Sequence, residues 1–170
     1  MQERKNFRCR MALYALLVLV CFLLQFSRGT RLTLWGASPD VLPFLFAAVA
    51  LFEGPYVGAI FGFAGGILLS VNSTAPEALL SMYYSLGCLG AGFFASRYMR
   101  RVFPTLLMCG IFLSLFKTLL SFFFFYALVY EAHSPGLLLT AGKSLLLSLP
   151  FSLVVYLIVK HIHSRFTAEE

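Results

Sequence analysis

Phe52-Glu53-Gly54-Pro55-Tyr56-Val57-Gly58-Ala59-Ile60-Phe61-Gly62-Phe63-Ala64-Gly65-Gly66 is the stretch whose reading decides the fold. Gly54, Gly58, Gly62 and Gly66 recur every fourth residue, so a helix would carry them on one face. In water this would be a poor helix, because each interior glycine costs about 1 kcal/mol relative to alanine. In a bilayer, small residues at this spacing let helices approach backbone to backbone. The stretch therefore predicts a membrane protein with a close helix–helix seam. Two uses of that seam follow from the residues: packing against another helix of the same chain, or docking of a partner's transmembrane helix.

Composition supports the membrane assignment. The 170-residue chain is 60% hydrophobic and 12% charged, with a mean hydropathy of +0.87. A soluble domain is nearer half apolar and a quarter charged. The formal net charge is +6, but the basic residues do not form a nucleic-acid footprint. Arg4, Lys5, Arg8 and Arg10 precede the first apolar block, Arg97, Arg100 and Arg101 separate later blocks, and Lys160 and Arg165 follow the last. Clusters at segment ends are the product of the positive-inside rule, and no nucleic-acid partner is expected. Cys9, Cys21, Cys88 and Cys109 form no Cys-x-x-Cys pair and have no histidine at ligand spacing. Neither a disulfide nor a metal site is expected.

Six apolar blocks are expected as helices of one transmembrane domain, residues 1–170: about 11–27, 40–52, 56–71, 77–96, 104–130 and 137–159. The first resembles a signal peptide, but Ser27-Arg28-Gly29-Thr30-Arg31 offers no convincing small-x-small cleavage site, so it reads as an uncleaved helix. Ser38-Pro39-Asp40 suits the start of the second, with Ser38 as N-cap and Asp40 in the first turn. Asn72 to Pro76 and His133 to Gly136 read as loops. Six spans put both termini on the side holding Arg4, Lys5, Arg8, Arg10, Arg97, Arg100, Arg101, Lys160 and Arg165, opposite Arg28 and Arg31. That asymmetry makes the termini cytoplasmic. A re-entrant hairpin of blocks two and three, with four full spans, satisfies the same count.

Several polar residues interrupt the apolar blocks. Gly110, Ser114, Lys117, Thr118 and Ser121 share a face of block five, with Lys117 near its centre. A lysine that deep is expected to face the bundle interior, since snorkelling reaches only a few ångströms. It is held either by hydroxyls, carbonyls and a carboxylate, or by an anionic ligand, lipid or partner carboxylate. Gly136, Thr140, Ser144, Ser148 and Ser152 recur every fourth residue in block six, a hydroxyl seam or the wall of a polar pocket. Lys143 is close enough to the helix start to snorkel. Asp40 and Glu53 fall near the two interfaces, where a solvated or headgroup-paired acid is expected. Glu77 suits a helix first turn. His133, His161 and His163 fall at helix ends or in the tail, and no Gly-x-Ser-x-Gly, His-Glu-x-x-His or intramembrane carboxylate pair is present. No enzymatic activity and no cofactor are expected.

The order Ser38-Pro39-Asp40, then Ala50-Leu51-Phe52-Glu53-Gly54-Pro55, then Gly58-Ala59-x-x-Gly62-Phe63-x-x-Gly66-Ile67-Leu68 resembles the MreD family, the rod shape-determining membrane proteins of bacteria. The basic N-terminus, Leu13-Tyr14 and Leu24-Gln25 look like its Gram-positive members. The resemblance covers roughly residues 4–100; beyond them only the hydropathy profile is similar. Ser70, followed by Val71-Asn72, stands where many members carry an acidic residue. The resemblance implies a non-enzymatic component of the cell-elongation machinery in the bacterial cytoplasmic membrane, supporting lateral peptidoglycan synthesis. It would bind the single-span scaffold MreC and, through it or directly, connect to MreB, RodA and the RodA-associated transpeptidase, with membrane lipid around it. The family is also similar in fold to the six-helix substrate-binding subunits of energy-coupling-factor vitamin transporters. That likeness implies an alternative function as a membrane solute-binding subunit, with Lys117 lining a pocket.

Overall fold

The computed structural model describes residues 2–26, 39–70, 77–98, 102–123 and 136–167. Among them every element is helical: α1 (Gln2–Phe26), α2 (Leu42–Glu53), α3 (Pro55–Ser70), α4 (Glu77–Tyr98), α5 (Phe103–Phe122) and α6 (Gly136–Thr167). Four contain stretches long and apolar enough to cross a membrane: Phe7–Gln25, Leu79–Arg97, Phe103–Leu120 and Gly142–Arg165. The described residues are thus all helical or flank helices, and four of the helices have the length and apolar character of membrane spans. The 12 residues of α2 and the 16 of α3 extend only about 18 and 24 Å at 1.5 Å per residue, short of a hydrocarbon layer about 30 Å thick.

α2 is the axis of the fold. Every residue from Leu42 to Phe52 is buried, as a helix apolar on all sides requires. Phe44 faces Gly110 of α5, Phe46 faces Gly65 of α3 and Tyr84 of α4, and Phe52 packs on Tyr156 of α6. The helix does not begin as the sequence predicts. Pro43, not Pro39, occupies the first turn, and Val41 is an N-cap without a side-chain hydrogen bond. Asp40 precedes the helix, which frees its carboxylate for tertiary contacts. The capping role of Ser38 lies outside the described residues, as do the two loops and the interhelical Arg28 and Arg31.

Contacts fix the helix directions. Tyr14 and Arg10 of α1 meet Glu53, while Gln25 meets Asp40, so α1 is antiparallel to α2. Gly58 and Gly65 of α3 oppose Ala50 and Phe46, again antiparallel. α4 runs antiparallel to α3, since Gly62 and Gly66 meet Tyr84 and Ser81 while Pro55 meets Gly92. α5 is antiparallel to α2, through Gly110 on Phe44 and Lys117 on Asp40. α6 is parallel to α2, with Ser148 at Asp40 and His163 at Glu53. Directions therefore alternate along the chain.

Helix ends differ from the sequence expectation where polar residues continue an apolar helix. α1 extends back to Gln2, and α6 continues from Val159 through the basic tail to Thr167. α5 runs to Phe122 with Phe123 as its C-cap, and residues 124–130 of the expected 104–130 block lie outside the described residues. The extension of α6 matters most, because it turns His163 from a tail residue into a rigidly placed one.

Candidate functional site

Two acid-centred clusters flank α2, one at each end. Asp40 and Glu53 are 13 residues apart, or about 20 Å in helical rise. At the first end, Lys117 Nζ of α5 forms an ion pair and hydrogen bond with Asp40 Oδ2. Gln25 Nε2 of α1 donates to Asp40 Oδ1 at 3.0 Å. The Asp40 backbone N–H donates to Ser148 Oγ of α6 at 2.7 Å, and that hydroxyl donates to the Ser144 carbonyl at 2.7 Å. Three helices thus converge on one residue. The Asp40 and Lys117 side chains are 12% and 24% exposed, so their charges cancel within the protein rather than in water.

At the second end, Glu53 Oε1 accepts from the Tyr14 hydroxyl at 2.9 Å and lies 3.0 Å from His163 Nδ1. Glu53 Oε2 pairs with Arg10 Nη2 at 2.9 Å. With the Glu53 side chain 2% exposed, a carboxylate is stable there only because charged and hydroxyl donors surround it. Aromatic rings close this end: the Phe52 ring lies 5.5 Å from that of His163 and 5.7 Å from that of Tyr156, which in turn lies 5.6 Å from Phe103.

This overturns the expectation for both acids. Neither Asp40 nor Glu53 is a solvated or headgroup-paired interfacial carboxylate; both bind α1 and α6 to α2. The fixed length of α2 explains the difference. It is too short to carry both ends to the bilayer surfaces, so its terminal charges need protein partners. His163 likewise leaves its expected tail position for the Glu53 cluster.

The glycine face is consumed inside the chain. A Cβ added at Gly62 would lie 2.5 Å from the Tyr84 carbonyl oxygen, and one at Gly66 would lie 2.5 Å from Ser81 Cα. At Gly58 it would collide with Ala50, and at Gly65 with the Phe46 ring. Gly54 has a different task. Its φ of 97° and ψ of 173° make the turn from α2 to α3, in a region essentially reserved for glycine. Ser70, buried, donates to the Ile67 carbonyl at 2.6 Å. Lys143 is exposed, and Ser152 is buried with its hydroxyl turned back to Leu149. The side chains of Glu77, Ser121 and Thr140 lie outside the described residues.

Arg10, Tyr14, Gln25 and His163 belong to the site, although the sequence marks them only as a basic residue of an end cluster, as parts of the family likeness and as a tail histidine. The available signal was a polar group within or beside an apolar block, facing an acid in another block. Among the described residues, no group of three or more His, Cys, Asp and Glu is placed to hold a metal ion. What the two clusters display is charge compensation and the positioning of helices against α2. Compared with known proteins, the chain matches no family model, and no curated protein or solved structure is significantly similar to it.

Proposed function

We propose that the chain is an assembly component of the bacterial cell-elongation machinery, of MreD type. It would cross the cytoplasmic membrane six times, with α2 and α3 as short crossings whose ends are met by protein groups rather than by the bilayer surface, and with both termini and the Glu53 cluster on the cytoplasmic side. The observation that carries the reading is the role of the residues behind the family resemblance. Asp40, Glu53, Gly54, Pro55, Gly58, Gly62 and Gly66 build the buried axis, its two anchors and its closest helix seam. A motif order with so much of the core in it supports reading these residues as a scaffold. The alternating helix directions and the basic residues at the Glu53 end support the orientation.

In this reading MreC binds laterally, on the outward faces of the helices, because the glycine face is occupied within the chain. Ile60, Phe63, Leu86 and Phe94 are exposed on α3 and α4, as a membrane-embedded contact surface requires. MreB, RodA and its transpeptidase are reached through that complex. The alternative, a solute-binding subunit of a vitamin transporter, loses its main polar feature: Lys117 is engaged by Asp40 and is not a spare cation for a ligand.

The test is co-purification from the source cells after crosslinking from α3 and α4, with depletion followed by microscopy. Recovery of MreC together with loss of rod shape is expected. Unchanged shape and no MreC from any position would overturn the reading.

A further inference from the structure

At the Glu53 end, cations from three helices come to one level. Arg8 of α1, Arg97 of α4, and Lys160 and Arg165 of α6 are all exposed. Arg10 and His163 both touch Glu53, and Gly92 lies against Pro55, which fixes the heights of these helices. At 1.5 Å per residue, Arg8 and Arg165 lie about 3 Å beyond Glu53, Lys160 about 4 Å short of it, and Arg97 about 7 Å beyond Pro55. Phe7, Arg97 and Arg165 are also the end residues of three of the apolar spans. The cations therefore ring the bundle where hydrocarbon gives way to headgroups, a layer about 5–7 Å deep on each side of a bilayer. Lys160 Nζ lies 5.7 Å from the centre of the Tyr156 ring. Tyr156 is one turn nearer the middle of α6, so this contact holds the ammonium back toward the hydrocarbon boundary.

The ring has no counter-charge of its own. Among the described side chains, Glu53 is the carboxylate at this end, and with 2% exposure it is already matched by Arg10 and His163. None of the four ring cations forms an ion pair with a described side chain. We propose that Arg8, Arg97, Lys160 and Arg165 form a binding surface for the phosphate headgroups of anionic lipids. Charge and height together select this occupant. Such a lipid brings its phosphate to the level of the cations and lays its chains on the apolar side chains just inside them, of which Phe93, Leu157 and Ile158 are exposed. A free anion would use the charges alone. Basic clusters at segment ends orient a chain as it inserts; the ring goes further, giving the folded chain a lipid preference at one end of the bundle. It requires only that the spans lie in a bilayer, so it stands or falls separately from the MreD reading.

The experiment places the full chain in phosphatidylcholine bilayers doped with spin-labelled phosphatidylglycerol or spin-labelled phosphatidylcholine. The fraction of label immobilised on the protein gives the preference between the two lipids. At low salt the parent chain should favour phosphatidylglycerol about fivefold, the effect of one well-placed Lys or Arg at an anionic surface. The variant carrying Arg8→Gln, Arg97→Gln, Lys160→Gln and Arg165→Gln should bind the two lipids nearly equally. Lys143→Gln, at the other end of α6, should keep the parent's preference. If the fourfold variant does not fold, a salt titration of the parent decides. In 1 M NaCl, where the screening length falls to about 3 Å, the preference should vanish. No preference in the parent, a preference that survives 1 M NaCl, or one lost in Lys143→Gln would overturn the proposal. So would inorganic phosphate that displaces the labelled lipid more effectively than NaCl of equal ionic strength, since the surface would then be a free-anion site.

Discussion

α3 and α1 both pack against the central helix, but by opposite means. α3 lies between α2 and α4 on a face of glycines, with backbone set against backbone at Gly58, Gly62 and Gly66. Among the described residues of α1, Tyr14 and Val18 are the buried ones, while Leu13, Leu16, Leu19, Leu23 and Leu24 face outward. What fastens α1 is largely polar: Arg10 and Tyr14, in its middle, on Glu53, and Gln25, near its end, on Asp40. The α3 seam depends on the absence of side chains and the α1 contact on the presence of a few. In hydrocarbon neither can rely on the hydrophobic effect, since lipid is as apolar as leucine. Close van der Waals contact and satisfied polar groups are the two remaining sources of stability, and this chain assigns one to each helix.

The difference predicts a ranking of substitutions. Gly62→Leu should be the most damaging. Its Cβ would meet the Tyr84 backbone, which cannot move without displacing α4, and the expected loss is about 3 kcal/mol or more. Equilibrium unfolding in mixed micelles would measure it, and a stability near that of the parent would show that α3 and α4 are not in backbone contact. Glu53→Gln comes next. It removes the charge facing Arg10 and His163 but keeps an acceptor for Tyr14, and should cost about 2 kcal/mol. Cysteine accessibility along α1 should rise at its Glu53 end and stay unchanged near Gln25.

Gly54→Ala is expected to cost about 1–2 kcal/mol through backbone strain alone, because nothing lies within 4 Å of an added Cβ there. The same unfolding assay applies, and an unchanged midpoint would mean that the turn is not left-handed. Gly90→Ala is the smallest effect and the control for the seam. Gly90 is exposed on α4, also with open space around its Cβ position, so it should be neutral or slightly stabilising through helix propensity. A large loss at Gly90 would place a partner or another helix against that face.

These two kinds of contact also differ in how far the sequence reveals them. The α3 seam is legible because its signal is local: a four-residue glycine period within one apolar run. Helix number and apolar class follow from the same short-range patterns. The interior position of Lys117 is legible too, since a charge at the middle of an apolar block needs an interior partner. Its partner is not, because Asp40 lies 77 residues away. His163 and Glu53 are 110 residues apart, and no periodicity in either segment points to the other. The start of α2 is misread for a physical reason. Ser38-Pro39-Asp40 has the residue types of a helix cap, but Pro43 can occupy the first turn equally well, and tertiary pairing of Asp40 decides between them. His163 is missed because a polar, basic run looks like a frayed end, whereas packing on Phe52 holds it in the helix.

The most direct test of a buried axis anchored by its acids is a thermodynamic cycle on Asp40 and Lys117 in a bilayer. Lys117→Met alone should cost about 3 kcal/mol, because it leaves an uncompensated carboxylate in the protein interior. Adding Asp40→Leu removes that charge as well, so the double variant should be more stable than Lys117→Met alone and the two effects should be strongly non-additive. Additive losses, or a Lys117→Met chain as stable as the parent, would contradict the pairing and with it the placement of α5 against the start of α2.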